Sequence, residues 1–152
     1  MPLYWHIRKL VVNHDDSKDV LQEVFLRVWR NIDKFKGDSK LFTWLYRIAT
    51  NDTLTFLSNK RMRNLTSMDA EEVHLLHSLQ SDSYFDGDEA QLKLQKAILT
   101  LPEKQRLVFN MKYFDDLTYE EMEEILGTST GALKASYHHA VKKIEKYFDE
   151  VE

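Results

Sequence analysis

The sequence predicts an all-α fold of two small helical domains joined by an acidic flexible linker. The 152 residues include only 4 Gly and 2 Pro, where average usage gives roughly 18. Apolar residues recur at helical spacing on both sides of a central segment in which that periodicity fades. The hydrophobic content of 43% is sufficient for a packed core. We therefore predict domains at 1–63 and 89–152, with the linker at 64–88.

Charge is distributed unevenly along the chain. The total is −4, which taken alone argues against a nucleic-acid-binding protein. Residues 1–64, however, carry 12 basic and 7 acidic side chains, a net of +5. Residues 65–95 carry −6 and residues 96–152 carry −3. The acidic total therefore does not exclude DNA binding by the first domain.

The composition excludes several other classes. Cysteine is absent, so the chain has no disulfide framework, zinc finger or thiol nucleophile, which is typical of a reducing compartment. The start interrupts its apolar positions with His6, Arg8 and Lys9, unlike a signal peptide. No window approaches 18 apolar residues. We expect an intracellular protein without membrane insertion.

The first domain begins with two predicted helices, over 3–12 and 16–31. The second helix carries an apolar stripe, formed by Val20, Val24, Phe25, Val28 and Ile32. Gly37 then breaks the chain, and Asp38 or Ser39 is suited to cap a long helix over 41–62. We expect the buried stripe of this helix to comprise Leu41, Leu45, Ile48, Ala49, Phe56 and Leu57.

The same long helix interleaves basic and aromatic side chains. The basic residues are Lys40, Arg47, Lys60, Arg61 and Arg63, and the aromatic ones are Phe42, Trp44 and Tyr46. Basic groups attract phosphate and aromatic faces stack unpaired bases, so this is a candidate single-strand surface. Aromatics at helical spacing more often belong to a core, and this segment alone favours that interpretation.

The second domain predicts a helix-turn-helix. One helix over 90–101 is stopped by Pro102, which suits the first turn of a second helix over 102–114. Thr118 and Glu121 form a capping box, and Gly127 ends the short helix that follows. Ser129 is suited to cap the last helix, whose predicted core residues are Leu133, Tyr137, Ala140, Val141, Ile144 and Phe148. The spacing alone fits an ordinary helical hairpin equally well.

Five short motifs stand in order along the chain. They are DVLQEVF at 19–25, FKGDS with TWLYRIATN at 35–51, LPE at 101–103 with Arg106, LTYEE at 117–121, and the final helix-turn-helix. Each motif is modest alone, but the ordered set around an acidic linker is specific. From about Pro2 to Tyr147, the chain resembles bacterial sigma factors of the extracytoplasmic-function (ECF) group in the sigma-70 family.

The resemblance implies a transcription initiation factor that binds core RNA polymerase, directs it to promoter DNA and helps to melt the minus-ten region. It implies no catalysis and no cofactor, a cytoplasmic, nucleoid-associated location, and an anti-sigma factor as a further partner. Asp19, Gln22 and Glu23 would dock on the clamp helices of the largest polymerase subunit. The minus-ten readers would be Phe35, Lys36, Ser39, Lys40, Trp44, Arg47, Asn51, Lys60 and Arg61. The minus-thirty-five readers would be Lys112, Thr130, Lys134, Ser136, His138 and His139.

Some positions depart from the family pattern. About two dozen residues that precede Pro2 in relatives are absent, so we expect the first helices of that domain to be missing. Ser136 and His139 stand where Arg is usual, Ala132 where Thr is frequent, and Ser58 where Arg is frequent. Fewer phosphate contacts predict weak binding to DNA by the isolated protein.

Two other classes of function compete with this one. A sigma-like helical adaptor or decoy would bind protein partners without recognising a promoter. A metal-dependent enzyme would rest on His74 with His77, or on His138 with His139. A metal site needs three or four convergent ligands, and adjacent histidines on a helix point to different faces.

Overall fold

The computed structural model describes residues 2–37, 40–64 and 88–151. These residues form seven α-helices and one short 3-10 turn at Ile32–Lys34. The helices are α1 Pro2–Val11, α2 His14–Asn31, α3 Leu41–Asn64, α4 Glu89–Leu99, α5 Glu103–Tyr113, α6 Tyr119–Leu126 and α7 Thr130–Val151. The all-α prediction is confirmed. The predicted capping by Asp38 or Ser39, and the linker with its histidine pair, lie outside the described residues.

Local signals placed most helix ends correctly. The Thr118 hydroxyl accepts from the Glu121 N–H at 3.1 Å, and the Glu121 carboxylate accepts from the Thr118 N–H at 3.0 Å, which completes the capping box. Gly127 ends α6 in the left-handed conformation, with φ of 70°. Ser129 accepts from the Ala132 N–H at the start of α7. Pro102 differs slightly from the prediction, since it is the N-cap residue that precedes α5.

The apolar interior consists of two clusters. The larger contains residues of α1, α2 and α3 together with residues of α5, α6 and α7, so it joins the two predicted domains. The smaller lies between α4, α5 and α7, around Ile98, Phe109 and Ile144. The two halves of the chain therefore pack directly on each other in this structure, through α1 against α5 and α3 against α6.

Several predictions about burial were wrong. Phe25, Ile32 and Leu41 were expected in buried stripes, but each is more than 40% exposed. Tyr46, in contrast, is 2% exposed and belongs to the core, which is the interpretation that its segment alone favoured. Burial here depends on which helices pack together, which helical spacing within one segment does not specify.

Within the described ranges, the structure contains no helix that is both long and apolar enough to cross a membrane.

Candidate functional surfaces

The outward face of α2 is acidic and open. Asp19, Gln22 and Glu23 are exposed and line a depression of about 420 Å³ between α2 and α3. Arg27 and Asp52 line the same depression, where the Arg27 Nε donates to the Asp52 carboxylate at 3.0 Å. These last two residues were not predicted from the sequence, because they are 25 positions apart and only the packing of α2 on α3 brings them together.

An apolar patch continues along α2 beyond the acidic face. Trp29 is 80% exposed, and its exposed neighbours are Phe25, Leu26 and Ile32. Exposed apolar groups in a contiguous patch mark interaction sites more often than scattered ones do. The signal was present in the sequence, because α2 carries more apolar residues than one buried stripe accommodates.

The predicted minus-ten set divides into an exposed group and an engaged group. Lys36, Lys40 and Asn51 are exposed. The rings of Phe35 and Trp44 pack with centroids 5.2 Å apart. Ser39 lies outside the described residues. Exposed amide and ammonium groups, together with an aromatic pair, are the side-chain types that bind bases and phosphates.

The three remaining members of that set already have partners within the chain. The Arg47 guanidinium donates to the Glu124 main-chain carbonyl, through Nε at 2.9 Å and also through Nη2. The Lys60 Nζ lies 2.7 Å from the Asp16 carboxylate. The Arg61 Nη1 lies 2.5 Å from the Glu103 carboxylate. Arg47 and Arg61 thus contact the second half of the chain.

A buried charged cluster also joins the two halves. The Lys9 Nζ lies 2.5 Å from one oxygen of Asp115, and the His6 Nδ1 lies 3.4 Å from the other. The opposite ring nitrogen of His6 is 2.8 Å from the Thr50 hydroxyl, and the ring packs on Tyr46 at 4.6 Å between centroids. The 3.4 Å separation is long for a hydrogen bond, so this contact is mainly electrostatic.

Burial and charge set the protonation states in this cluster. Burial lowers the pKa of His6 below its ordinary 6.5, and the facing Asp115 opposes this only in part, so the ring is neutral at pH 7. Burial alone would raise the pKa of Asp115, but His6 and Lys9 outweigh it and hold that pKa below its usual range. Burial, together with the negative charge of Asp115, raises the pKa of Tyr46.

The last helix, α7, presents most of the predicted minus-thirty-five set on its outer side. Lys134, His138 and His139 are exposed, and Thr130 and Ser136 are half-buried. Lys134 also lies over the Tyr119 ring at 5.7 Å. Among the described residues, no group of three or more His, Asp or Glu side chains is arranged to hold a metal ion.

Lys112 is placed differently from the other predicted readers. Its ammonium lies over the Tyr119 ring at 4.7 Å and donates to the Leu117 carbonyl at 3.2 Å. These contacts fix the turn that precedes α6. Lys112 therefore supports the helix-turn-helix from within.

The fold and these surfaces define a two-part helical protein with a helix-turn-helix in its second half. Residues 2–63 match the family described as Sigma-70 region 2, and residues 91–144 match Sigma-70, region 4. The chain belongs to the ECF group of sigma-70 family RNA polymerase sigma factors. It is accordingly a transcription initiation factor that directs RNA polymerase to promoters.

Individual relatives agree with this assignment. The chain is 31% identical over 152 residues to the ECF RNA polymerase sigma factor SigW of Bacillus subtilis, covering 95% of this chain and 81% of that one. It is 30% identical over 148 residues to the RNA polymerase sigma-H factor of Pseudomonas aeruginosa, covering 92% and 77% respectively.

Two solved structures share the fold at low identity. One is the sigma factor RpoE in complex with the anti-sigma factor NepR from Bartonella quintana, with a TM-score of 0.74, 18% identity, and coverage of 97% of this chain and 90% of that one. The other is CnrH in complex with the cytosolic domain of CnrY, with a TM-score of 0.69, 19% identity, and coverage of 99% and 82%.

Proposed function

We propose that the acidic face of α2 docks on the clamp helices of core RNA polymerase and that α3 and α7 read promoter DNA. The observation that carries the proposal is the pairing of two matched regions with an exposed reader on each: Asn51 on α3 and Lys134 on α7. In this proposal, residues 1–63 and 89–152 act as separate DNA-binding domains, and 64–88 is a tether. The protein has no catalytic activity and works in the cytoplasm at the nucleoid.

Polymerase docking is supported by charge and shape on α2. Asp19 and Glu23 project carboxylates one helical turn apart, beside a depression wide enough to receive a side chain of a partner. Trp29 extends the same side with apolar area. Buried aromatics and charged pairs dominate the binding energy of many protein interfaces.

Minus-ten reading is supported by the exposed amide of Asn51 on α3 and by the exposed ammonium groups of Lys36 and Lys40. An amide side chain recognises a base edge through paired hydrogen bonds, and Phe35 and Trp44 offer ring faces next to an unpaired strand. Stacking of each base on such a ring contributes about 1–3 kcal/mol. These contacts favour the melted strand over the duplex, so they help to open the minus-ten region.

Minus-thirty-five reading is supported by the exposed N-terminal half of α7. A recognition helix in the major groove contacts bases through its first turns, where Thr130 and Lys134 lie. Ser136 and His139 contribute less charge than Arg, so affinity of this half for DNA is low without polymerase. An anti-sigma factor is the proposed regulator that blocks these surfaces.

Reconstituted transcription tests the proposal. The double variant Asp19→Lys/Glu23→Lys and the single variant Asn51→Ala are compared with the wild type on promoter DNA with core polymerase. The charge reversal should abolish polymerase binding, whereas Asn51→Ala should keep polymerase binding and lose open-complex formation. The control Asp149→Lys/Glu150→Lys changes the same charge on an exposed stretch of α7. Unchanged transcription in both test variants contradicts the assigned sites.

A further inference from the structure

The two halves of this chain close on each other without any other molecule. Apolar residues of α1, such as Ile7 and Leu10, share one core cluster with Val108 and Met111 of α5. All four are 0% exposed. The contact between the halves is thus a packed interface that excludes water.

At the edge of this apolar contact lies the His6–Lys9–Asp115 cluster. The side chains are 0%, 16% and 9% exposed respectively, so the charges are largely removed from water. Removing one partner from a buried charge pair leaves the other uncompensated, which strongly favours rearrangement or separation. Loss of Lys9 or Asp115 therefore weakens the contact between the halves.

The backbone places Asp115 for this role. The Asp115 N–H donates to the Asn110 carbonyl at 3.2 Å, and the Leu117 N–H donates to the Met111 carbonyl at 3.1 Å. The residue between them, Asp116, is exposed and has a positive φ of 53°. The tight turn after α5 thus directs one of two adjacent aspartates into the interface and the other into solvent.

The contact between the halves also includes two residues that the proposed function assigns to DNA binding. Arg47 is hydrogen-bonded to the Glu124 carbonyl, and Arg61 is paired with Glu103. Both partners belong to the second half of the chain. A phosphate group approaching either guanidinium would compete with these contacts for its N–H donors.

We propose that His6, Lys9 and Asp115 form a latch that keeps the free chain in a self-closed state, in which Arg47 and Arg61 are bonded to the second half. The engagement of DNA-reading residues rests on the proposed function, whereas the latch itself does not. Separation of the halves lets water solvate all three latch groups. Separating a contact surface that contains charged groups requires less free energy than separating an apolar one of the same area, because the charged groups regain hydration.

The absence of cysteine from the sequence makes the test direct. Lys18→Cys on α2 and Lys143→Cys on α7 introduce two exposed labelling sites for single-molecule energy transfer on the full chain. The wild-type pair should report one dominant short distance. Asp115→Asn and Lys9→Gln should each shift the equilibrium about tenfold or more towards a long distance, a change of about 1.4 kcal/mol or more.

Asp116→Asn is the matched control, because it removes the same charge one residue away in solvent and Asn tolerates a positive φ. It should leave the distance distribution unchanged. The exchanged pair Lys9→Asp/Asp115→Lys should restore part of the closed population. Circular dichroism on each variant verifies that its helices are retained. If Asp115→Asn and Lys9→Gln stay as closed as Asp116→Asn, the latch is wrong.

A second arm measures fluorescence anisotropy with a random-sequence single-stranded 20-mer of DNA. Opening should tighten binding several-fold in Asp115→Asn, and adding Arg47→Ala should remove that gain. If the halves open but DNA binding does not tighten, the assignment of Arg47 and Arg61 to DNA is wrong, while the latch stands. If the distance distributions contradict the latch, the proposed function is still tested separately by the transcription assay.

Discussion

The two sides of the first half of the chain differ in how the protein itself uses them. The proposed polymerase-binding side, on α2, presents the exposed side chains of Asp19, Glu23 and Trp29. The proposed DNA-binding side, on α3, has Arg47 and Arg61 engaged by the second half. The difference predicts an order of events, in which polymerase binds the free α2 side first and DNA replaces the contacts of Arg47 and Arg61 afterwards.

The largest expected effect separates a buried aromatic from an exposed one. Tyr46→Ala should destabilise the fold by about 3–5 kcal/mol, because it empties a fully packed site. Trp29→Ala should change stability by less than about 0.5 kcal/mol, since its side chain is mostly in water already. Urea unfolding followed by circular dichroism measures both. Equal losses of stability would contradict the assignment of Tyr46 to the core and of Trp29 to the surface.

Trp29→Ala should instead act on polymerase binding. Losing an exposed aromatic anchor from the α2 side should weaken binding to core polymerase by about tenfold or more. The measurement is a titration of labelled protein with core enzyme. Met62→Ala provides the control, since Met62 is 73% exposed and lies near the C-terminal end of α3, outside the proposed docking surface on α2. Equal weakening in the two variants would remove Trp29 from the proposed docking surface.

The equilibrium between the closed and open states should depend on pH. His6 has a lowered pKa in the closed state, so the closed state binds fewer protons there than the open state and weakens as pH falls below about 6.5. Asp115 has a lowered pKa too, so acid weakens closure further at lower pH. The groups that face His6 are Asp115, Lys9, Tyr46 and Thr50, and burial dominates over the attraction to Asp115.

Energy transfer between the two labels, recorded from pH 7.5 to pH 5, measures this dependence. The open population should rise steadily as pH falls in the wild type, and should rise less in His6→Gln. An open population that falls with acidification would show that protonated His6 strengthens its contact with Asp115, contrary to the assigned direction.

The smallest effect concerns the helix that covers α3. Glu121→Gln weakens the capping box of α6 and should reduce stability by about 0.5–1 kcal/mol. Glu120→Gln, at an exposed position of the same turn, should have a smaller effect. Hydrogen exchange of the first-turn amides of α6 reports the change locally. Equal protection in the two variants would mean that the box does not stabilise this helix.

The sequence predicted features that depend on neighbours along the chain. Helix ends at Thr118 and Gly127 follow from hydrogen bonds and backbone conformations within four residues, which is why they were correct. The engagement of Arg47 depends on a contact with Glu124, 77 positions away. Helical periodicity contains no information about such a contact, so Arg47 was predicted only as a DNA reader.

The predicted order of events can be tested directly by adding core polymerase to the chain labelled at positions 18 and 143. The free protein should show the short distance between positions 18 and 143, and saturating core enzyme should convert it to a long one before any DNA is added. Asp19→Lys/Glu23→Lys should abolish this conversion. A short distance that persists in the polymerase-bound wild type would contradict the account, because Arg47 and Arg61 would then stay bonded to the second half when DNA must reach them.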